Sequence, residues 1–494
     1  MANPGPFQLI SNDGKIDRLL QDTEGLKNRI NYYFRKFRKI PSLEYIERTH
    51  ILFPRNVFKP FVQITHYYER KGALKYPSNR LGNTVEFNID QIGDFISDMA
   101  VYVRFGSIGD ENADVSTADR YKYCEYPGIR LFKNIDFSVN GNPISNYRDT
   151  DVVLYNNFQV PKDRRVYWNR CVGQDNPITG ELYLPQPQVD ECRLIKNGAQ
   201  TFKTYQPALE MYIPLLFWFC EDPKLCLPSI AIPEGQRRVK LDLTSYTNII
   251  QAIDSSSDPI DAPTLNIEAF DLFINNFTVN PEIKDLYLKK IGFYLIRVHR
   301  SSSITLEKSK ADVKFPEFKL PIETIYFGFR PLANLDNFEN WYKLCVLTQQ
   351  HYCSLILTKD SPGPGSTPSA AGVFYNESSP VIDKIGFGAY GIELYKLTEE
   401  FFYRAYQPFR FQKCCQISSP ENSEECAYVV SWAILGPKQF QPSGYLNISR
   451  LREFKLAYES SYINPETQVE LMASAIGINF LLISDGTAGL RYIS

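Results

Sequence analysis

The segment GIRLFKNIDFSVNGNPI, residues 128–144, alternates apolar and polar residues along most of its length. Its apolar side chains recur at every second position and would share one face of a strand. These positions are Ile129, Leu131, Ile135, Phe137 and Val139. Asn140 and Gly141 follow, a residue pair that favours a tight turn between antiparallel strands. The segment therefore predicts a β-hairpin with one buried face.

A second segment, RRVKLDLTSY at 237–246, repeats the same alternation. Val239, Leu241 and Leu243 would face a core, and the polar residues between them would face water. The composition agrees, because 33 Phe, 32 Tyr and 32 Pro in 494 residues favour strands and turns over helical bundles. The chain is also too long for one ordinary core. We therefore predict an all-β protein with two large sandwich domains.

The overall charge excludes some partners. The formal net charge is -2 at pH 7, which provides no global basic field for neutralising nucleic-acid phosphates. The longest apolar runs are well short of a bilayer span, and the first residues lack a charged head followed by an apolar core. We expect a cytosolic protein without direct nucleic-acid binding.

The sequence offers little recognisable chemistry. Ten cysteines and four histidines show no clustered metal-ligand spacing, so we expect reduced thiols and no metal site. The stretch GFGAYG at 386–391 fits a dinucleotide-binding pattern, but no run of alternating strands and helices surrounds it. A glycine-bearing strand is the better interpretation. We predict no catalytic residue and no cofactor.

Residues 11–40 differ from the rest of the chain. Apolar residues recur there at helical spacing, at Leu26, Ile30, Tyr33, Phe37 and Ile40. Basic residues lie between them, and the candidate contact residues are Arg29, Arg35, Lys36, Arg38 and Lys39. Such a basic amphipathic arm fits contact with an anionic surface or partner, and equally a helix packed on its own domain with a solvated face. The sequence leaves both interpretations open.

Three functional classes remain for a protein of this kind. A β-sandwich can carry a pair of carboxylates for sugar hydrolysis, although no pair is identifiable here. It can bind carbohydrate through exposed aromatic side chains. It can also be a structural shell protein in which strands brace the fold and long loops make subunit contacts. The lack of recognisable chemistry favours the shell protein.

Longer motifs point to one family. QPSGYLNISRLREF at 441–454 sets Pro442 and Gly444 in a polar bend before a strand, which we interpret as an architectural corner. Together with LISNDGK at 9–15, it resembles the asfarvirus type of double jelly-roll major capsid protein from nucleocytoplasmic large DNA viruses. Three further segments are similar to that family: YCEYPGIRLFKNIDFSVNGN at 123–142, INNFTVNPEIKDLYLKKIGFYLIRVHR at 274–300 and ASAIGINFLLISDGTAGLRYIS at 473–494.

The resemblance implies a fold and an assembly. The fold would be two tandem eight-stranded antiparallel jelly rolls with an N-terminal arm. With a polar, proline-bearing linker candidate at 255–264, the expected divisions are an arm at 1–49, jelly roll 1 at 50–262 and jelly roll 2 at 263–494. Homotrimers would form pseudo-hexameric capsomers that tile an icosahedral shell over an internal membrane. Penton and minor capsid proteins would be partners, assembly would occur in the host cytoplasm, and the basic arm would face inward.

Overall fold

The computed structural model describes residues 31, 34–36, 64–73, 81–114, 117–174, 199–232, 236–279, 281, 284–285, 292–356, 370–389, 391–412, 426–435, 441–451, 453–484 and 486–492. Residue contacts divide the chain into two compact units, Met1–Gln63 and Ile64–Ser494. In the first unit, the described residues 31 and 34–36 are helical and exposed. All strands described below belong to the second unit.

The first half of the second unit is a sandwich of two four-stranded antiparallel sheets. Its strands are β1 (Ile64–Gly72), β2 (Thr84–Ile89), β3 (Phe95–Phe105), β4 (Ile108–Gly109), β5 (Arg120–Tyr123), β6 (Phe132–Val139), β7 (Asn142–Arg148), β8 (Tyr205–Gln206), β9 (Leu209–Pro214), β10 (Arg237–Leu243), β11 (Ile250–Ile253), β12 (Pro259–Ile260) and β13 (Ile267–Val279). The two sheets have the orders β1-β13-β3-β9 and β2-β10-β6-β7. Small sheets β12-β11-β5 and β4-β8 flank them.

The second half repeats this arrangement. Its strands are β14 (Gly292–Leu306), β15 (Lys310–Lys314), β16 (Pro321–Pro331), β17 (Cys345–Ile356), β18 (Ala370–Pro380), β19 (Lys384–Ala389), β20 (Ile392–Glu399), β21 (Ala427–Ser431), β22 (Leu446–Asn447), β23 (Lys455–Glu459), β24 (Val469–Ser484) and β25 (Thr487–Leu490). One sheet has the order β14-β24-β16-β21 with β22 and β25 at its margins, and the other has the order β15-β23-β19-β20. Strands β17 and β18 form a separate hairpin.

Short helices connect these strands. The α-helices of the described residues are α1 (Pro127–Arg130), α2 (Asp149–Phe158), α3 (Arg165–Cys171), α4 (Trp218–Glu221), α5 (Leu332–Leu335) and α6 (Gln407–Phe411). A wide helical turn, Phe402–Tyr406, precedes α6 directly. Helices thus occur as connections and caps of the sandwiches, as is usual when strands supply the core.

Aromatic side chains fill the space between the facing sheets. In the first sandwich, Phe87 of β2 stacks on Phe270 of β13 with ring centroids 5.8 Å apart. In the second, Phe327 of β16 meets Phe387 of β19 edge to face at 5.5 Å. Each of these pairs joins the two sheets of one sandwich. Burial of such large rings away from water is the main driving force for closing the sandwiches.

The predicted hairpin is confirmed, with one correction. β6 and β7 pair antiparallel, and Asn140 and Gly141 between them both have positive φ, 52° and 80°. The strand begins only at Phe132, however, and Ile129 lies in α1. Tyr126 in the left-handed conformation and Pro127 at the first helical position start a helical turn there, because proline fixes φ near its helical value. The alternation in β10 is confirmed, with Val239, Leu241 and Leu243 buried.

The double jelly-roll prediction is confirmed, and the strand pairing bears on where the first sandwich ends. The candidate linker at 255–264 contains β12, which pairs with β11. β13 then pairs with β1 and β3 of the first sandwich. The division at 262/263 stays a prediction, and the pairing of β13 favours a division after Val279. The GFGAYG stretch continues β19 up to Ala389, as the strand interpretation expected.

Candidate assembly surface

The two sandwiches are joined by the segment that follows α5. The indole Nε1 of Trp341 donates a hydrogen bond to the Glu125 carbonyl at 2.7 Å. Arg130 Nη2 donates to the Leu335 carbonyl at 2.9 Å, and its guanidinium lies 5.2 Å from the Trp341 ring centroid. Trp341 and Arg130 are buried. These two hydrogen bonds between buried groups tie the two halves together.

Helix α2 adds a second set of contacts across the same boundary. Phe158 stacks on Tyr326 of β16 with centroids 5.0 Å apart. Ser301 of β14 donates a hydrogen bond to the Asp151 carboxylate. These packed and hydrogen-bonded contacts make the pair of sandwiches one block.

The thiol of Cys124, which lies next to these contacts, is unreactive. Cys124 is fully buried, and burial raises the pKa of its thiol to about 12, although Arg130 partly opposes this shift. A neutral buried thiol is a poor nucleophile. Cys124, Cys171, Cys220 and Cys226 form no disulfide.

The second sandwich exposes an apolar margin, which we call the apolar edge surface. It comprises β20, which ends its sheet order, and the helical turns that follow it. Its exposed apolar side chains are Ile392, Leu394, Leu397, Phe401, Tyr406 and Phe409. Phe409 is 80% exposed. Large apolar side chains exposed on the last strand of a sheet and on the turns after it are a liability for a free monomer and favour an interaction surface.

An ion pair lies beneath this surface. Arg404 Nη2 is 3.2 Å from Glu400 Oε1, and both side chains are largely buried. Burial raises the pKa of the Glu400 carboxyl above its usual value, and the charge of Arg404 partly offsets that rise. The pair fixes the turn that carries Phe401, Tyr406 and Phe409.

The sequence did not single out the apolar edge surface. Leu394 and Leu397 belong to a segment with the composition of an ordinary strand, so a core position is the natural expectation for them. The available signal was the density of aromatic residues in EFFYRAYQPFRF at 400–411, which exceeds what one short connection needs for packing.

The polar bend at 441–450 is a corner of the second sandwich. β22 pairs with the start of β16, Ile448 is buried, and the Ser449 hydroxyl donates to the Lys319 carbonyl. Gly444 has φ +152°, and a Cβ added there would lie 2.7 Å from the Trp432 carbonyl oxygen. The bend therefore requires glycine at 444 for lack of space as well as for its backbone conformation.

Two of the five predicted arm residues fall within the described structure. Arg35 and Lys36 are helical and exposed, whereas Arg29, Arg38 and Lys39 lie outside the described residues. Within the described ranges, no group of three or more His, Cys, Asp or Glu side chains could hold a metal ion. In the same ranges no helix has both the length and the apolar character needed to span a membrane.

Comparison with known proteins assigns this fold to a family. The model of the major capsid protein N-terminus matches residues 71–277, and the model of the large eukaryotic DNA virus major capsid protein matches 278–489. The chain belongs to this capsid protein family. The two matches meet where β13 ends, which agrees with the pairing of β13 in the first sandwich.

Individual relatives support the assignment over the full length. The hexon protein p72 of African swine fever virus (strain Badajoz 1971 Vero-adapted) is 26% identical over 648 aligned residues, covering 100% of both chains. The Faustovirus major capsid protein structure has a TM-score of 0.73 at 28% identity, covering 96% of this chain and 100% of that one. The PBCV-1 virus capsid model, with a TM-score of 0.63 at 18% identity over 89% and 99% of the two chains, shows the shared fold.

These findings establish the function at the level of the family. The chain is a major capsid protein of a large eukaryotic DNA virus, its place is the virion capsid, and it builds that capsid with neighbouring capsomers. The carbohydrate-binding alternative is not favoured.

Proposed function

We propose that three copies of this major capsid protein associate into a pseudo-hexameric capsomer. Each copy contributes two similar sandwiches, and three copies place six similar blocks around one axis. The contacts of Trp341 and Arg130 support this geometry, because they make the two sandwiches of one copy a single block. A block with near-hexagonal outline is a shape that tiles a flat icosahedral face.

The observation that carries the proposal is the apolar edge surface. A closed ring of three copies uses two different patches on each subunit, so one patch of each copy is covered by its neighbour. The exposed side chains of Ile392, Leu394 and Phe409 are suited to the covered role, because burying each one releases apolar surface from water. Obligate interfaces of this kind typically bury more than about 2,000 Å² in total.

The proposal extends to the surroundings of the capsomer. The shell lies over an internal membrane, penton and minor capsid proteins are further partners, and assembly takes place in the host cytoplasm. The basic residues of the arm, including Arg35 and Lys36, face inward toward that membrane or those minor proteins. The chain catalyses no reaction and binds no nucleic acid directly, in keeping with a structural capsid family and a net charge of -2.

Electron microscopy of the purified full chain tests the capsomer. We expect particles with a hexagonal outline and three-fold symmetry, and compact single-copy particles would refute the proposal. Deletion of 1–40 tests the arm separately. We expect the deleted chain to form the same particles but to fail in building membrane-associated shells in infected or co-expressing cells, and unchanged shells would remove the arm from the proposal.

A further inference from the structure

A cavity of about 600 Å³ opens at the polar bend of the second sandwich. Three separate backbone segments form its wall. They are residues 319–321 at the start of β16, the 447–450 turn, and residues 491–492 after β25. The volume is typical of sites for small molecules.

The wall is held in place without any ligand. Pro321 pairs with Asn447 in the β16–β22 ladder, and Ile448 N–H donates to the Leu320 carbonyl at 3.2 Å. On the opposite side, Asn479 of β24 is fully buried and brackets Tyr492. Its Nδ2 donates to the Tyr492 carbonyl at 2.9 Å, and its Oδ1 accepts from the Tyr492 N–H at 3.2 Å. A pre-formed wall spares a ligand the cost of ordering it.

The charged residues that line the cavity are all basic. Lys319, Arg450 and Arg491 line it, and no aspartate or glutamate is among its described lining residues. The Arg491 guanidinium lies within 5.5 to 6.0 Å of three aromatic ring centroids, those of Phe293, Phe480 and Tyr492. These rings restrain the position of the guanidinium group. The protein as a whole has a slight negative net charge, so the positive charge of this cavity is a local property and does not reflect the overall composition.

A polar atom in the wall lacks a partner. The side-chain oxygen of Asn447 is buried and has no hydrogen-bond partner in the described structure. An unpaired buried amide oxygen costs free energy in the folded state. The cavity lining thus includes cations, an amide and a hydroxyl group. Leu320, Pro321 and Tyr492 add apolar groups to the same lining.

We propose that this cavity binds an organic phosphate. A phosphate monoester carries a charge of about -1.5 to -2 at neutral pH and three acceptor oxygens, so it matches a cavity lined by several cations better than a single carboxylate does. Arginine and lysine are the usual phosphate partners in proteins. The cavity is larger than a phosphate group alone, and the apolar residues of its lining leave room for the remainder of the ligand.

Calorimetric titration of the purified full chain tests this proposal. The probes are phenyl phosphate, benzoate as the carboxylate counterpart, and an aspartate-rich peptide. We expect phenyl phosphate to bind and benzoate to bind more weakly. Lys319→Gln and Arg491→Gln should each weaken phenyl phosphate binding about tenfold, the loss expected for one charged hydrogen-bond partner. Lys133→Gln, an exposed lysine of β6, is the matched control and should leave binding unchanged.

The outcomes separate the possible sources of the phosphate. Vesicles of phosphatidylcholine, with and without a phosphoinositide, show whether a lipid headgroup also enters the cavity, and loss of that binding in Lys319→Gln would assign it there. Because Arg491 packs on aromatic rings, its replacement could disturb folding, and the exposed Lys319 provides the independent variant. Absence of phenyl phosphate binding, equal binding in all variants, or binding of the acidic peptide alone would overturn the proposal.

Discussion

Arg297 of β14 and Glu323 of β16 form a two-point ion pair in the core of the second sandwich. Arg297 Nε lies 2.5 Å from Glu323 Oε2, and Nη2 lies 3.3 Å from Oε1. Glu323 is 0% exposed. The β16–β24 register shifts between Ile322 and Thr324, and this irregularity coincides with the buried position of Glu323. The pair therefore lies at a local departure from the regular strand pattern.

Removing one partner of this pair should be costly. We expect Arg297→Met to lower the free energy of unfolding by about 3–5 kcal/mol, because it leaves a buried carboxylate without its cation. The double variant Arg297→Met/Glu323→Leu should recover most of that loss. Denaturant unfolding of the parent, the single variant and the double variant measures the three free energies of unfolding that this comparison needs. The exposed pair of Lys314 and Glu453 provides the control, since Lys314→Met should leave stability unchanged. A double variant as unstable as the single one would contradict this account.

The bend at Gly444 should tolerate no side chain. We expect Gly444→Val to reduce the yield of folded trimer and lower the melting temperature, because a Cβ would meet the Trp432 carbonyl at 2.7 Å and the backbone would be strained. Strain of this kind costs about 1–3 kcal/mol before the clash is counted. Gly489→Ala is the control, since a Cβ there has no atom within 4 Å. Normal yield and melting temperature for the Gly444 variant would show that the bend adapts.

Glu400 should make stability depend on pH. Burial raises the pKa of its carboxyl above 4.5, so the folded protein holds this proton at pH values where the unfolded chain has released it. Its stabilising contribution is complete below pH 4.5 and is lost as the pH rises through the raised pKa. The parent should therefore lose stability relative to Glu400→Gln as the pH rises from 4.5 toward neutrality. Unfolding measured across that range checks this, and a constant or opposite difference would rule it out.

The apolar edge surface should control association. We expect Leu394→Lys combined with Phe409→Ser to convert trimers to folded monomers, because each side chain contributes about 1.5–3 kcal/mol when buried. Circular dichroism and native mass together distinguish dissociation from unfolding. Tyr167→Ser removes an equally exposed ring, 73% accessible, on α3 of the first sandwich. It should leave the mass unchanged. Trimers that persist in the double variant would show that the subunits contact each other through a different surface.

Local pattern predicted local structure well. The hairpin predicted from the alternation through Phe137 and Val139 and from the Asn140-Gly141 pair is confirmed. A strand with one buried face fixes its own register, so a local pattern was sufficient here. The prediction that Ile129 lies in a strand was wrong, because Pro127 starts a short helix that includes Ile129. The pairing of β13 with the first sandwich was not predictable from the polar segment at 255–264, because a turn and a domain linker share the same composition.

Contacts between residues that are far apart in the chain could not be predicted from the sequence. The ion pair joins Arg297 and Glu323 from two separate strands, and the cations Lys319, Arg450 and Arg491 come from three separate segments of the chain. Their meeting depends on register over the whole sandwich. The exposure of Leu394 and Phe409 likewise depends on which strand ends the sheet.

The most direct test of the assembly is the native mass of the purified full chain, measured by light scattering on a sizing column. The account predicts a ligand-independent particle of three times the 56.9 kDa chain mass. A stable, well-folded particle with the mass of one chain, at concentrations where capsids assemble, would contradict it.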